Sequence, residues 1–190
     1  MTRTPAGYFD RMYAGDDDPW GFATRWYERR KYDITLASLP RPRYRAGYEP
    51  GCSIGVLSDG LAARCDTLVV SDPQPVAVAG ARDRLHAHPH VRVERHSIPE
   101  DWPAGPWDLV VLSEVAYYFD GAGLDDVVER VMSTLEEGGH LVAVHYRPRT
   151  DYPLSGDAAH RRIAATPGLA GLVDHVEDEF RLAVWERVAR

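Results

Sequence analysis

Two carboxylates and a run of small residues supply the chemistry this chain could do. Residues 49–55 read Glu-Pro-Gly-Cys-Ser-Ile-Gly, and Asp72 closes the next apolar run, Thr-Leu-Val-Val-Ser-Asp. Gly51 and Gly55 have no Cβ to keep a ligand off the backbone, and Cys52 and Ser53 are small enough to line the same turn. Asp72 can accept two hydrogen bonds from the hydroxyls of a ribose. Further along, Asp108-Leu-Val-Val-Leu-Ser113-Glu114 ends in a second acidic residue, with Tyr117 and Tyr118 close behind it.

The glycine turn narrows the ligand. Nicotinamide enzymes set G-x-G-x-x-G at a helix N-terminus to hold a pyrophosphate. Here the spacing is G-x-S-x-G and residue 56 is valine, so that fingerprint fails. S-adenosylmethionine has no phosphate to cradle and is met by an acidic residue and a looser small-residue turn. Glu49-x-Gly51-x-Ser53-x-Gly55 has that form. Glu114 then stands as the first candidate base: a carboxylate beside a transferring methyl can orient an ammonium and take its proton, worth about 10²–10⁴-fold. A hydrogen bond to the cofactor or a helix cap is its other reading. Tyr117 and Tyr118 could line a methyl channel, since aromatic faces attract cations. His145, ending the fifth apolar run, is the second candidate base. Asp151, Tyr152 and Asp157 follow in a loop that could border the acceptor, where Ser155 reads as a helix N-cap.

The elements that must position these residues are legible from periodicity. Candidate strands are 47–49, 67–72, 91–96, 108–112, 140–146, 172–177 and 181–188. The runs TLVV, DLVVL and HLVAVHY are apolar on both faces, which suits central strands of a covered parallel sheet. Helical patterns lie at 56–65, 75–85 and 124–135, the last with Gly138-Gly139 as a stop signal, and a short helix near 158–165. An imperfect stripe through Phe22, Trp26, Ile34 and Leu36 predicts a helix within 22–39, ended by Pro40 and Pro42. Three prolines between His96 and Trp107 leave only a loop there. The alternation predicts an α/β fold, a doubly wound, mostly parallel seven-stranded sheet with an N-terminal helical cover. Residues 1–190 read as one domain, 1–43 forming the cover and 44–190 the α/β core.

Composition excludes several classes. At 190 residues, 44% hydrophobic and 27% charged, the chain has the make-up of a globular protein. A net charge of −7 disfavours a nucleic-acid partner despite Arg41, Arg43 and Arg45. No apolar run is long enough for a membrane helix, and the first residues carry no secretory pattern, so a cytoplasmic location is expected. Two cysteines make no disulfide framework, and His86, His88, His90 and His96 lack the accompanying ligands of a metal site. Nothing in the sequence indicates an oligomeric state.

Three further blocks carry a resemblance: Asp18–Tyr32 (DPWGFATRWYERRKY), Glu49–Leu57 (EPGCSIGVL) and His145–His160 (HYRPRTDYPLSGDAAH). They resemble the nodulation protein S group of class I methyltransferases, and the resemblance spans nearly the whole chain. It implies S-adenosylmethionine as cofactor, S-adenosylhomocysteine as product, and a small-molecule acceptor. The family's namesake methylates an amine on a deacetylated chitooligosaccharide, so N-methylation is expected. The alternatives are O-methylation of a small hydroxylated metabolite or a non-catalytic cofactor-binding domain. By the same resemblance Glu49, Gly51, Ser53 and Gly55 would contact the methionine part, with Cys52 on the same cofactor-binding turn. Asp72 would hold the ribose, with Pro73 or Gln74 beside the adenine and Ser97, Ile98 bracketing it. Ser113 would lie against the cofactor, and Trp20, Tyr27 and Arg30 would belong to a segment folding over cofactor and acceptor. Many class I enzymes place an Asp near the position of Ser97; here His96-Ser97 stand instead.

Overall fold

A computed structural model of the chain describes residues 3–189. Its elements, in chain order, are α1 (Ala6–Tyr13), α2 (Trp26–Ala37), β1 (Tyr44–Pro50), α3 (Val56–Ala62), β2 (Cys65–Ser71), α4 (Pro75–Leu85), β3 (Val91–Glu94), β4 (Trp107–Ser113), a 3₁₀ turn (Ala116–Tyr118), α5 (Gly121–Thr134), β5 (Leu135–Tyr146), α6 (Gly156–Ala164), β6 (Leu169–Val176) and β7 (Phe180–Arg187). The seven strands form one sheet in the order β3-β2-β1-β4-β5-β7-β6. β1/β2, β2/β3 and β4/β5 pair parallel, whereas β7 runs antiparallel to both β5 and β6. The α/β, doubly wound, mostly parallel sheet is as expected.

The reason lies in the side chains. Every residue of β4 is buried, and so are Leu141 to Val144 of β5, as runs apolar on both faces require when helices cover each side. β6, at the sheet edge, alternates between half-buried and exposed positions. The prolines of residues 99–106 leave the connection between β3 and β4 without a crossover helix.

Cα packing resolves two compact units, Pro5–Ser97 and the segment from Ile98 onward with Arg3 and Thr4. The first holds α1 to β3, so the residues ahead of β1 pack in the same unit as the first three strands. The second holds β4 to β7.

Three element expectations change. α1 carries no strong sequence signal and was not expected. α5 stops at Thr134, and Leu135 enters β5 directly, so Gly138-Gly139 lies inside a long strand, Gly138 at φ 76°, rather than ending a helix. In α2 the buried face is Glu28, Lys31, Tyr32 and Thr35, while Trp26 is 70% exposed. A salt bridge explains the reversal. Lys31 Nζ lies 2.8 Å from Glu28 one turn back and above the rings of Tyr27 and Tyr32, so a charged pair takes the inner face an apolar stripe would have held.

Candidate functional site

In the first unit, the turn between β1 and α3 is built from left-handed residues. Gly51, Ser53 and Gly55 have φ of 71°, 49° and 77°. Glycine tolerates this region without cost, whereas a serine there is held by its surroundings. A Cβ on Gly55 would come within 3.3 Å of the Ala81 backbone on α4, a tight contact that adds to the strain of the positive φ. Ser53 is fixed from two sides. Its N–H donates to Asp72 Oδ2 at 3.0 Å, and its hydroxyl is 2.7 Å from the Tyr13 hydroxyl. The other Asp72 oxygen accepts from the Gln74 N–H at 2.9 Å. Asp72 therefore clamps the glycine turn to the end of β2 and still has lone pairs to offer.

Burial pushes the Asp72 carboxyl up to about 6, although the two backbone donors pull it down. Glu49 is more deeply enclosed, 2% exposed, and accepts from the Ser58 hydroxyl at 2.5 Å. Burial raises it to about 8, against the lowering effect of that hydroxyl. Both groups are thus costly anions in the protein alone, and a cationic ligand would relieve that cost.

Trp20 belongs to the same unit. The Asp18 carboxylate accepts from the N–H groups of Phe22 and Ala23, which folds residues 18–23 into a tight loop. Trp20 then stacks on Phe22 and meets Tyr13 edge-on, both with centroids 5.5 Å apart. Tyr13 thereby links Trp20 to Ser53. Its phenol, buried beside Asp72, is held protonated. Sequence reasoning missed Tyr13 and Ser58; only the Phe9/Tyr13 spacing on α1 hinted at an inward face. Tyr27 and Arg30 are half-buried on α2, Pro73 is exposed with its carbonyl bonded by Arg95, and Cys52 is buried. Ser97 closes this unit and Ile98 opens the next, where its carbonyl accepts from Arg3.

In the second unit, Ser113 ends β4 and is buried, and Glu114 follows with φ 56°, again left-handed. Glu114 Oε2 accepts from the Tyr117 hydroxyl and from the Tyr146 N–H at 2.9 Å. Burial, reinforced by Glu114, keeps Tyr117 protonated as that donor. Tyr152 stacks on Tyr117 at 4.9 Å and 27°, and meets Tyr118 edge-on at 4.7 Å, so it joins that adjacent pair in one aromatic cluster beside Glu114.

His145 and Asp157 are engaged elsewhere. Nε2 of His145 accepts from the Ala116 N–H at 3.0 Å, and Nδ1 lies 3.1 Å from His160 Nε2. The imidazole is fully buried. Asp157 is bound by Arg147 at 3.1 Å and approached by Arg181 at 3.7 Å, the Arg147 bond holding its carboxyl below the usual range. Asp151 is exposed, and Ser155 caps α6 by accepting from Ala158 N–H at 3.2 Å. Among the described residues no cluster of His, Cys, Asp or Glu could hold a metal ion. His88 instead meets Asp59 and His90 the Ala62 carbonyl. Among them, too, no helix is long and apolar enough to cross a membrane.

The fold is that of Rossmann-like methyltransferases. An N-methyltransferase, nodulation protein S of Bradyrhizobium japonicum, solved with S-adenosylhomocysteine, superposes with a TM-score of 0.85 at 25% identity, covering 95% of this chain and 97% of that one. A candidate methyltransferase of Pseudomonas syringae is 45% identical with a TM-score of 0.76, over 86% of this chain and all of the other. The family model for nodulation protein S matches residues 9–150, and the chain belongs to that family. Nodulation protein S of Rhizobium tropici is 31% identical over 128 residues, 66% of this chain and 54% of its own length. The chain spans about half the length of the curated relatives it matches.

Proposed function

We propose that the protein transfers a methyl group from S-adenosylmethionine to the nitrogen of a small-molecule amine. The observation that carries this reading is the turn 51–55 clamped by Asp72: three left-handed residues, two without a Cβ, beside a buried carboxylate whose remaining lone pairs suit a ribose. The solved relative that holds S-adenosylhomocysteine supports the same cofactor.

The cofactor supplies an activated methyl on a sulfonium; the residues supply alignment, dryness and proton removal. Asp72 accepts from the ribose hydroxyls, and Glu49, Gly51, Cys52, Ser53 and Gly55 border the methionine part, where buried carboxylates favour its ammonium and sulfonium charges. Pro73 and Ser97 would flank the adenine, and Trp20 and Arg30 would cover the cofactor. On the acceptor side, Tyr117, Tyr118 and Tyr152 offer aromatic faces to an ammonium, with Asp151 at its border. Glu114, held by Tyr117 and Tyr146, takes the proton of that ammonium. The cofactor would supply the methyl to the freed nitrogen lone pair, the S–CH₃ electron pair staying on sulfur as the N–CH₃ bond forms. His145 and Asp157 serve the architecture around this group, since their polar atoms are already committed.

A panel of aminosugars, aryl amines and hydroxylated compounds offered with a labelled methyl donor tests this reading. Label is expected on amines and not on their hydroxyl analogues. Label confined to hydroxyl compounds contradicts the assignment of nitrogen.

A further inference from the structure

Behind Glu114 lies a chain of hydrogen bonds whose proton positions are forced. The Ala116 N–H can only donate, so His145 Nε2, at 3.0 Å, must carry a lone pair. A neutral His145 then has its hydrogen on Nδ1, and it donates to His160 Nε2 at 3.1 Å. His160 Nε2 is therefore bare as well, and its hydrogen sits on Nδ1. No other arrangement of neutral rings satisfies both contacts.

The two rings are 0% and 1% exposed and meet edge-on at 5.2 Å. Around them stand Tyr117 from the 3₁₀ turn, Asp157 on α6 itself, Asp174 on β6, and Arg181 and Trp185 on β7. The carboxylates there are engaged by arginines: Asp174 by Arg181 at 2.8 Å and Asp157 by Arg147. His160 Nδ1 is buried and meets no hydrogen-bond partner among the described residues. An imidazolium at His160 would present a hydrogen to His145 Nδ1–H on one side and to no acceptor on the other. Burial accordingly drives its pKa down to about 2.

The other end of the chain is the turn that matters. Ala116 opens the 3₁₀ turn, fully buried, one residue before Tyr117 and two after the left-handed Glu114. We propose that His160 is a positioning residue: by accepting from His145 Nδ1 it fixes the tautomer that lets His145 hold the Ala116 amide, and so pins the turn presenting Glu114 and Tyr117. The consequence for rate rests on the reading of Glu114 given above; the tautomer chain does not. His145 is on this account no base, because its one lone pair is spent on an amide.

Long-range ¹H–¹⁵N correlation spectra of the histidine rings in the whole protein test the chain directly. His145 and His160 are expected as Nδ1–H tautomers, unchanged from pH 8 to pH 5. An Nε2–H tautomer at His145, or its titration within that range, overturns the inference whatever the enzyme methylates. Two variants then test the consequence. His160→Leu removes the acceptor and is expected to lower kcat by about 10- to 100-fold, the scale of a misplaced catalytic group, with S-adenosylhomocysteine affinity within about twofold. His160→Gln places a carbonyl oxygen where Nε2 lies and should restore kcat and the His145 Nδ1–H signal. If kcat in His160→Leu is unchanged, or His160→Gln rescues neither, the positioning role is wrong. If wild-type protein methylates no amine, the proposed function fails while the spectra still judge the chain.

Discussion

Glu114 and Glu49 show how one residue type takes opposite work from its surroundings. Glu114 is partly exposed and held by two donors, a hydroxyl and an amide, which aim it. Replacing it with Gln keeps the size but loses proton acceptance, so kcat for an amine should fall by about 10²–10⁴-fold with cofactor affinity retained. An unchanged rate across pH would remove Glu114 from the reaction. Glu49 is buried, with a pKa of about 8, and so holds its proton at neutral pH. If it borders the cationic end of the cofactor, binding should release that proton. Calorimetric titrations at pH 7 in buffers of different ionisation heat are expected to show this release in the wild type and not in Glu49→Gln. Equal release in both proteins would place the proton elsewhere.

At the scale of elements, the strands were legible because their signal is local: apolar runs buried on both faces need no tertiary knowledge. The glycine turn was legible for the same reason, three small residues at fixed spacing. What failed was long-range. Tyr13 on α1 and His160 on α6 act through partners 40 and 15 residues away, which no periodicity encodes. α2 misled because its inner face is a Glu28–Lys31 pair, chemically the signature of a solvated surface. That pair makes a sharp prediction. Lys31→Met strands Glu28 without its ammonium and should cost about 3–5 kcal/mol in denaturant unfolding, whereas Glu28→Gln with Lys31→Met should recover most of it. A loss below about 1 kcal/mol in the single variant would mean water reaches the pair. The Ser155 cap, read correctly from sequence, should cost about 1 kcal/mol as Ala.

For the whole molecule, buried ionisable groups set the pH dependence of stability, and their signs differ. Glu49, raised from 4.5 to about 8, and Asp72, raised from 3.8 to about 6, keep protons in the native state that the unfolded chain gives up. Their contribution is fullest at acid pH and is lost as pH rises through the folded values. His160, lowered from 6.5 to about 2, acts oppositely: its contribution is present above pH 6.5 and fades as pH falls. Thermal midpoints should therefore decline between pH 6 and pH 8.5, and Glu49→Gln should flatten that limb. A wild-type midpoint that rises over this range would show the burial of Glu49 to be relieved in solution.

The central claim is that the turn at 51–55 and Asp72 together hold the adenosyl cofactor. Titrating S-adenosylhomocysteine into wild-type protein and into Asp72→Ala, with folding checked by circular dichroism, tests it most directly. One micromolar site is expected in the wild type, weakened at least about tenfold in the variant, since hydrogen bonds to a charged acceptor contribute about 1.5–3 kcal/mol each. No binding by the wild type, or equal binding by a folded Asp72→Ala, would contradict it.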